Sequence, residues 1–322
     1  MHPAFSVIFL TTLIGAGQGL FLALYAVEVG VRLGALAPVE QRFFVIGSVL
    51  ALVLLLLGLV ASTFHLGRPE RGWRAAARWR TSWLSREVIV LPAVMAAVFA
   101  YGAAHAAGWA PSGDGAAWLA PTVLVGAAAT VLVLALYLCT GMIYACLKFL
   151  QEWATPLTVI NYLLIGLASG TTLAAAFAAI VAPHLSPLLA QAALPLTVAA
   201  LVSRAASLVR NRRLRPTSTI QTAIGVKHPR IVQMSQGFMG GSFNTREFFH
   251  GRTRQTLRAV KWVFLLLAFA VPALLLAVGL LGAAPAAFIA AFVIQYLGLL
   301  AERWFFFAQA NHPQNLYYQA VA

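Results

Sequence analysis

A chain of 322 residues with 61% hydrophobic and only 9% charged side chains is too apolar for soluble domains and has the composition of a protein embedded in lipid. Its formal charge of +14 does not point to nucleic acid, because Lys and Arg in a membrane protein first report topology. Its two cysteines form no Cys-x-x-Cys pair, which excludes iron–sulfur ligation by the usual thiolate sets.

Crossing a hydrocarbon core of ~30 Å takes about 20 apolar residues in a helix. Stretches of that kind occur at 4–28, 43–64, 87–108, 118–143, 157–182, 185–207, 260–282 and 285–307, so the expected fold is an all-α integral membrane protein with eight transmembrane helices. Helix 1 starts close to Met1 with no Lys or Arg before it and no small-residue cleavage pattern after a short apolar core, and it reads as a retained helix. It carries Gly15, Gly17, Gln18 and Gly19, and helix 5 carries a similar small-residue run through Gly166, Ser169 and Gly170. Such runs are what close helix contacts in lipid require, a simpler explanation than an ancestral duplication.

His65 ends helix 2 and Glu87 begins helix 3. Between them, 66–86 interleaves Trp73, Trp79 and Trp83 with six arginines, which suits an amphipathic segment at the headgroup level. Cys139 and Cys146 lie seven residues apart on helix 4, about 10 Å along a helix and beyond the reach of a disulfide. The connection 144–156, with Lys148, Glu152, Trp153 and Pro156, divides the chain into two four-helix groups, 1–150 and 151–322, and Pro156 suits the first turn of helix 5. The connection 208–258 is too long, and too rich in Phe, Met and Ile, for a mere linker. Its Phe238, Met239, Phe243, Phe248 and Phe249 call for a protein surface to cover them.

The basic residues are lopsided. Arg68, Arg71, Arg74, Arg78, Arg80 and Arg86 follow helix 2, Lys148 follows helix 4, and ten Lys or Arg lie between Arg210 and Arg258, whereas the connections after helices 3, 5 and 7 have none. The positive-inside rule then places both termini and the even-numbered connections in the cytoplasm, with Arg32 and Arg42 on the first outer connection counting mildly against it.

Ionisable groups in or beside membrane helices are expensive, so each is a candidate for function. His65 and Glu87 bracket the arginine-rich connection on one face. A histidine exchanges protons near neutral pH and a desolvated glutamate can hold one, which is what a quinone site needs; spacing alone favours instead a helix-end His65 and a Glu87 paired with arginine. Glu302 beside Arg303 reads as snorkelling or a local pair, and Glu28 lies toward the outer end of helix 1. A haem-b subunit would need facing histidines, for which only His105 and His184 are available. A proton-coupled transporter would need carboxylate pairs inside the membrane, which the pattern does not supply.

The run His65-Leu66-Gly67-Arg68-Pro69-Glu70-Arg71, followed by Arg78 and Leu84-Ser85-Arg86-Glu87, resembles the His-Leu-Gly-x-Pro-x-Arg … Leu-Ser-x-Glu signature of the membrane anchor subunit of the dimethyl sulfoxide reductase family. Gln18 falls where that family has a glutamine, and Trp153-Ala154-Thr155-Pro156 resembles its entry to helix 5. The resemblance implies that His65 and Glu87 serve a quinone (ubiquinone or menaquinone), with Arg71, Gln18, Ser85 and Tyr144 as further contacts near the cytoplasmic face. It implies no haem, and a molybdenum cofactor and iron–sulfur clusters carried only by partner subunits in a bacterial inner membrane. The iron–sulfur subunit is expected to dock on 208–258 and 66–86, with the molybdopterin subunit attached through it. The chain departs from the respiratory anchors in its long connection with Gln221–Gly225 and Gly240–Glu247, which resembles the anchor of the cytoplasmic sulfite-oxidising, quinone-reducing branch.

Overall fold

A computed structural model describes residues 1–109, 119–232, 234, 247–282 and 284–318. Eight long apolar helices account for most of them: α1 Phe5–Arg32, α2 Gln41–Thr63, α3 Trp83–Ala106, α4 Pro121–Ala145, α5 Pro156–Val181, α6 Ser186–Arg212, α7 Arg254–Gly282 and α8 Pro285–Ala308. All are long and apolar enough to span a bilayer, and the described residues form no strand, so the chain is an all-helical, multi-pass membrane protein. Pro121, Pro156 and Pro285 stand in the first turns of α4, α5 and α8, where the missing N–H costs nothing.

Several helices run past the spans that hydropathy predicts, because capping rather than apolarity sets where they begin. Ser82 accepts a hydrogen bond from the Ser85 N–H and starts α3 at Trp83, so Glu87 lies one turn inside the helix instead of at its start. Thr253 accepts from the Thr256 N–H and starts α7 at Arg254, ahead of the expected residue 260. At their far ends α1 continues to Arg32 and α6 to Arg212, turning residues assigned to connections into helix termini. Within α7 lies a π-helical turn at Leu266–Ala270, whose Ala268 carbonyl accepts from Gln295 of α8 (3.3 Å).

α1 and α5 are the central pair, with 61% and 72% of their apolar windows covered by the rest of the chain. α1 packs on α2, α4 and α5; α3 lies against α2 and α4; α5 also meets α4, α6 and α8; and α7 lies against α6 and α8. The two small-residue runs meet each other: a Cβ on Gly19 would strike the Gly166 carbonyl oxygen, and one on Gly170 would strike the Gly19 backbone. Backbone contact this close explains the pattern without duplication. Gly19→Val is expected to lower the melting point of the detergent-solubilised chain by the equivalent of about 1–3 kcal/mol or more, since backbone cannot move aside as a side chain can. Unchanged melting would show that the crossing relaxes freely.

Contacts gather both chain ends and the connections 144–156 and 208–258 on one face. The Met1 nitrogen donates to the Ala310 carbonyl (2.7 Å) and the His2 N–H to Glu247 (2.9 Å). Trp153 Nε1 donates to the Phe306 carbonyl (3.0 Å), and Arg210 reaches the Gln151 carbonyl (3.0 Å). The arginine-rich connection forms a 3-10 helix, Pro69–Arg78, with no buried residue. Guanidinium groups lie over neighbouring indoles there, Arg74 over Trp73 and Arg80 over Trp79. Phe248, expected to await a partner, is covered by the chain itself and stacks on His312 with ring centroids 3.7 Å apart. Phe238, Met239 and Phe243 lie outside the described residues.

Candidate functional site

From just beneath the shared face toward mid-bundle, α1, α3, α4, α5 and α8 leave a cavity of about 20 Å³ lined largely by polar residues, room for a water. Gln18 and Glu87 line it, as do Thr140, Tyr137, Tyr162 and Arg303. Glu87 is four residues into α3 and Arg303 five residues from the end of α8, so both sit about 6–8 Å in from their helix ends at 1.5 Å per residue. Thr140 of α4 donates to the Glu87 carboxylate. Among the described residues Glu87 makes no ion pair, and Arg86 is turned away toward the Trp79 and Arg80 carbonyls (both 2.9 Å). The paired-glutamate alternative is therefore not realised. Gln18 donates to the Val133 carbonyl (3.3 Å) and Tyr137 to that of Gly15 (2.8 Å), tying α1 to α4 around the cavity.

The opposite wall carries an ionic cluster that sequence reading understated. Glu302 does not snorkel; the expected local pair with Arg303 forms, and Arg204 joins it. It is 1% exposed and lies between Arg204 of α6 (2.7 Å) and Arg303 (2.9 Å), themselves 2% and 4% exposed. Arg303 also lies over the Tyr162 ring, 4.1 Å from its centroid. Two guanidinium groups against one carboxylate leave a formal excess of one positive charge beside the cavity. The signal was present, since Arg204, Glu302 and Arg303 all fall inside predicted spans, but nothing local says that α6 turns its arginine toward α8.

The other expected site residues are placed differently. Tyr144 stacks face to face on Tyr162 (5.6 Å, 7°) and reaches the cavity only through it. Ser85 is buried near the start of α3 but does not line the cavity. His65 stands exposed just past α2 and outside the cavity lining, and desolvation by the surrounding protein holds its pKa below the ordinary histidine value. Arg71 is exposed on the 3-10 helix, 3.9 Å from Glu70. The geometry thus puts Gln18 and Glu87 on one cavity, at its deeper and shallower ends, and leaves His65 and Arg71 nearer to water.

At the far end of the bundle His105 is 2% exposed, 3.4 Å from Glu28 and stacked on Phe44 (4.5 Å), while His184 is exposed. Arg32, 3.9 Å from Glu28, completes that cluster. Cys139 and Cys146 are both free, and among the described residues no group of three or more His, Cys, Asp or Glu could hold a metal ion.

A cavity that holds a carboxyl, an amide and a guanidinium can contact a small polar ring through several hydrogen bonds and exchange protons with it. Its shallow end lies below the face that also carries the chain ends and the connections 144–156 and 208–258. Comparison with known proteins gives that arrangement a family. Over its full length the chain is 55% identical, across 325 aligned positions covering 100% of both proteins, to the C subunit of sulfite dehydrogenase from Allochromatium vinosum. Residues 1–307 match the DMSO reductase anchor subunit (DmsC) family, and the chain belongs to it, as a membrane anchor of an oxidoreductase complex.

Proposed function

We propose that this chain is the quinone-reactive anchor of a molybdenum/iron–sulfur oxidoreductase, in which a partner oxidises sulfite and the electrons reduce quinone here. The observation that carries the reading is the cavity itself, which is lined by Glu87 and Arg303 within about two helical turns of the connection-bearing face and by Gln18 at its deeper end. The full-length similarity to a sulfite dehydrogenase subunit supports the choice of substrate for the complex. Reduction takes two electrons, arriving from an iron–sulfur partner, and two protons drawn from the aqueous phase. Glu87 makes the carbonyl contact and passes a proton, Arg303 holds a fixed positive charge at the other carbonyl, and His65 exchanges protons with water at the face. At about 20 Å³ the cavity is smaller than a quinone ring, so side chains lining it move when the ring enters.

In this reading the helices form two four-helix groups, 1–150 and 151–322, joined across α1 and α5. Both termini and the even-numbered connections face the cytoplasm of a bacterial inner membrane. The iron–sulfur subunit docks on 208–258 and 66–86, on the side where electrons have the shortest way to the cavity, and carries the molybdopterin subunit.

Orientation is testable alone. A reporter active only outside the cytoplasm is expected to be silent when fused within 208–258 and active near Asp114, which lies outside the described residues. The opposite pattern inverts the assignment. The function itself is tested by purifying the complex and assaying sulfite with a quinone analogue. Sulfite-dependent quinone reduction is the expected result, whereas quinol oxidation by dimethyl sulfoxide without sulfite activity would reverse the direction of flow through the same cavity.

A further inference from the structure

A second and larger cavity, about 440 Å³, opens between α6, α7 and α8 near the connection-bearing face, within the usual size of ligand sites of ~300–1,000 Å³. It is built in two levels. On each of the three helices a polar residue at the outer level is followed one turn deeper by an apolar one. The pairs are Arg212 over Leu208 on α6, Lys261 over Leu265 on α7, and Gln309, which caps α8, over Phe305. One turn is about 5.4 Å, so a charged rim stands directly over an apolar floor.

We propose that this cavity is a specific binding site for an anionic phospholipid, with the phosphodiester between Arg212 and Lys261 and the start of an acyl chain along Leu208, Leu265 and Phe305. Three observations point that way. Gln309 Nε2 is buried in the wall without a hydrogen-bond acceptor, an orphan donor that a phosphate or ester oxygen would satisfy. Trp262 beside Lys261 is 60% exposed, and Lys261 Nζ lies 5.4 Å from its ring centroid, the amphipathic anchoring expected at headgroup level. The rim also includes Glu152, so its formal charge is +1 from two cations and one carboxylate, which suits a single phosphodiester rather than a dianion. That favours an anionic over a zwitterionic lipid. The site is separate from the cavity of Glu87 and shares no lining residue with it.

The test uses the full chain purified in detergent, delipidated, and then offered phosphatidylglycerol, phosphatidylethanolamine or water-soluble glycerol phosphate, with bound lipid counted by native mass spectrometry and melting followed in parallel. The expected result is retention of one phosphatidylglycerol with a raised melting point, at least tenfold weaker retention in Arg212→Gln/Lys261→Gln, and a similar loss in Leu208→Trp, which fills the floor but keeps the charge. The exposed Arg74→Gln is expected to leave retention unchanged, which separates a site from general attraction to basic surface. Equal retention of phosphatidylglycerol by the double variant would overturn the proposal. So would equal binding of phosphatidylethanolamine, or the same stabilisation by glycerol phosphate alone, which would mark a plain anion site. Because lipid is counted on the isolated chain, the result stands apart from quinone activity.

Discussion

Glu302→Gln is expected to cost the folded chain about 3–5 kcal/mol, the usual penalty for stripping one partner from a buried ion pair. The carboxylate is all that separates Arg204 at 2.7 Å from Arg303 at 2.9 Å, and none of the three side chains is more than 4% exposed. Without it, two guanidinium groups from α6 and α8 would face each other in a low-dielectric interior. The measurement is thermal unfolding in detergent. Glu40→Gln provides the control, because Glu40 and Arg42 form an ion pair with both side chains well exposed, where loss of the partner changes little. Melting of Glu302→Gln indistinguishable from Glu40→Gln would mean that water or lipid headgroups reach the cluster and that it does not hold α6 to α8.

The second large effect is on turnover. Glu87→Gln keeps the shape of the side chain and its contact with Thr140 but removes the exchangeable proton, so quinone reduction is expected to fall by about 10²–10⁴-fold, the range for loss of a general acid–base group. Melting should be nearly unchanged, since no ion pair is broken. Thr140→Val, which takes away only the hydroxyl donor, should have a smaller effect. His65 gives a different signature. Its pKa is lowered by desolvation, so the protonated imidazole accumulates only at pH below the ordinary histidine value, and a proton-consuming reaction should speed up as pH falls through that lower value. His65→Ala is expected to flatten that acid-side rise while sparing the neutral rate more than Glu87→Gln does. Wild-type kinetics in both variants would remove the proton roles of these residues and leave the cavity without its carrying function.

Glu87 was legible as a site candidate because a carboxyl beside an apolar helix is costly and because it sits within a motif that resembles a family signature, whereas Gln18 was legible only because it falls where that family has a glutamine. His65 and Arg71 share that motif, but the fold leaves them at the surface beside the cavity-bearing bundle. Motif adjacency along the chain does not specify which way a side chain faces once a helix has ended. Arg303, by contrast, carried no motif and was read as half of a local pair. Its place in the cavity wall depends on α8 meeting α5, and on Arg204 arriving from α6 to share Glu302.

What the sequence determined by itself was the solvent, the number of membrane helices, and which connections share a face. Twenty-residue apolar runs have one favourable arrangement in a bilayer, and the alternation of helices then puts alternate connections on the same side. It also marked the small-residue runs of α1 and α5 as contact surfaces, though not as surfaces for each other. Tertiary structure alone decided that pairing, because close backbone approach requires both glycine runs at the same depth and rotation. It likewise decided the two cavities and the three-residue ionic cluster. Each is assembled from residues brought together from separate helices, and the free energy that joins those helices is packing in lipid, which leaves no local pattern in the chain.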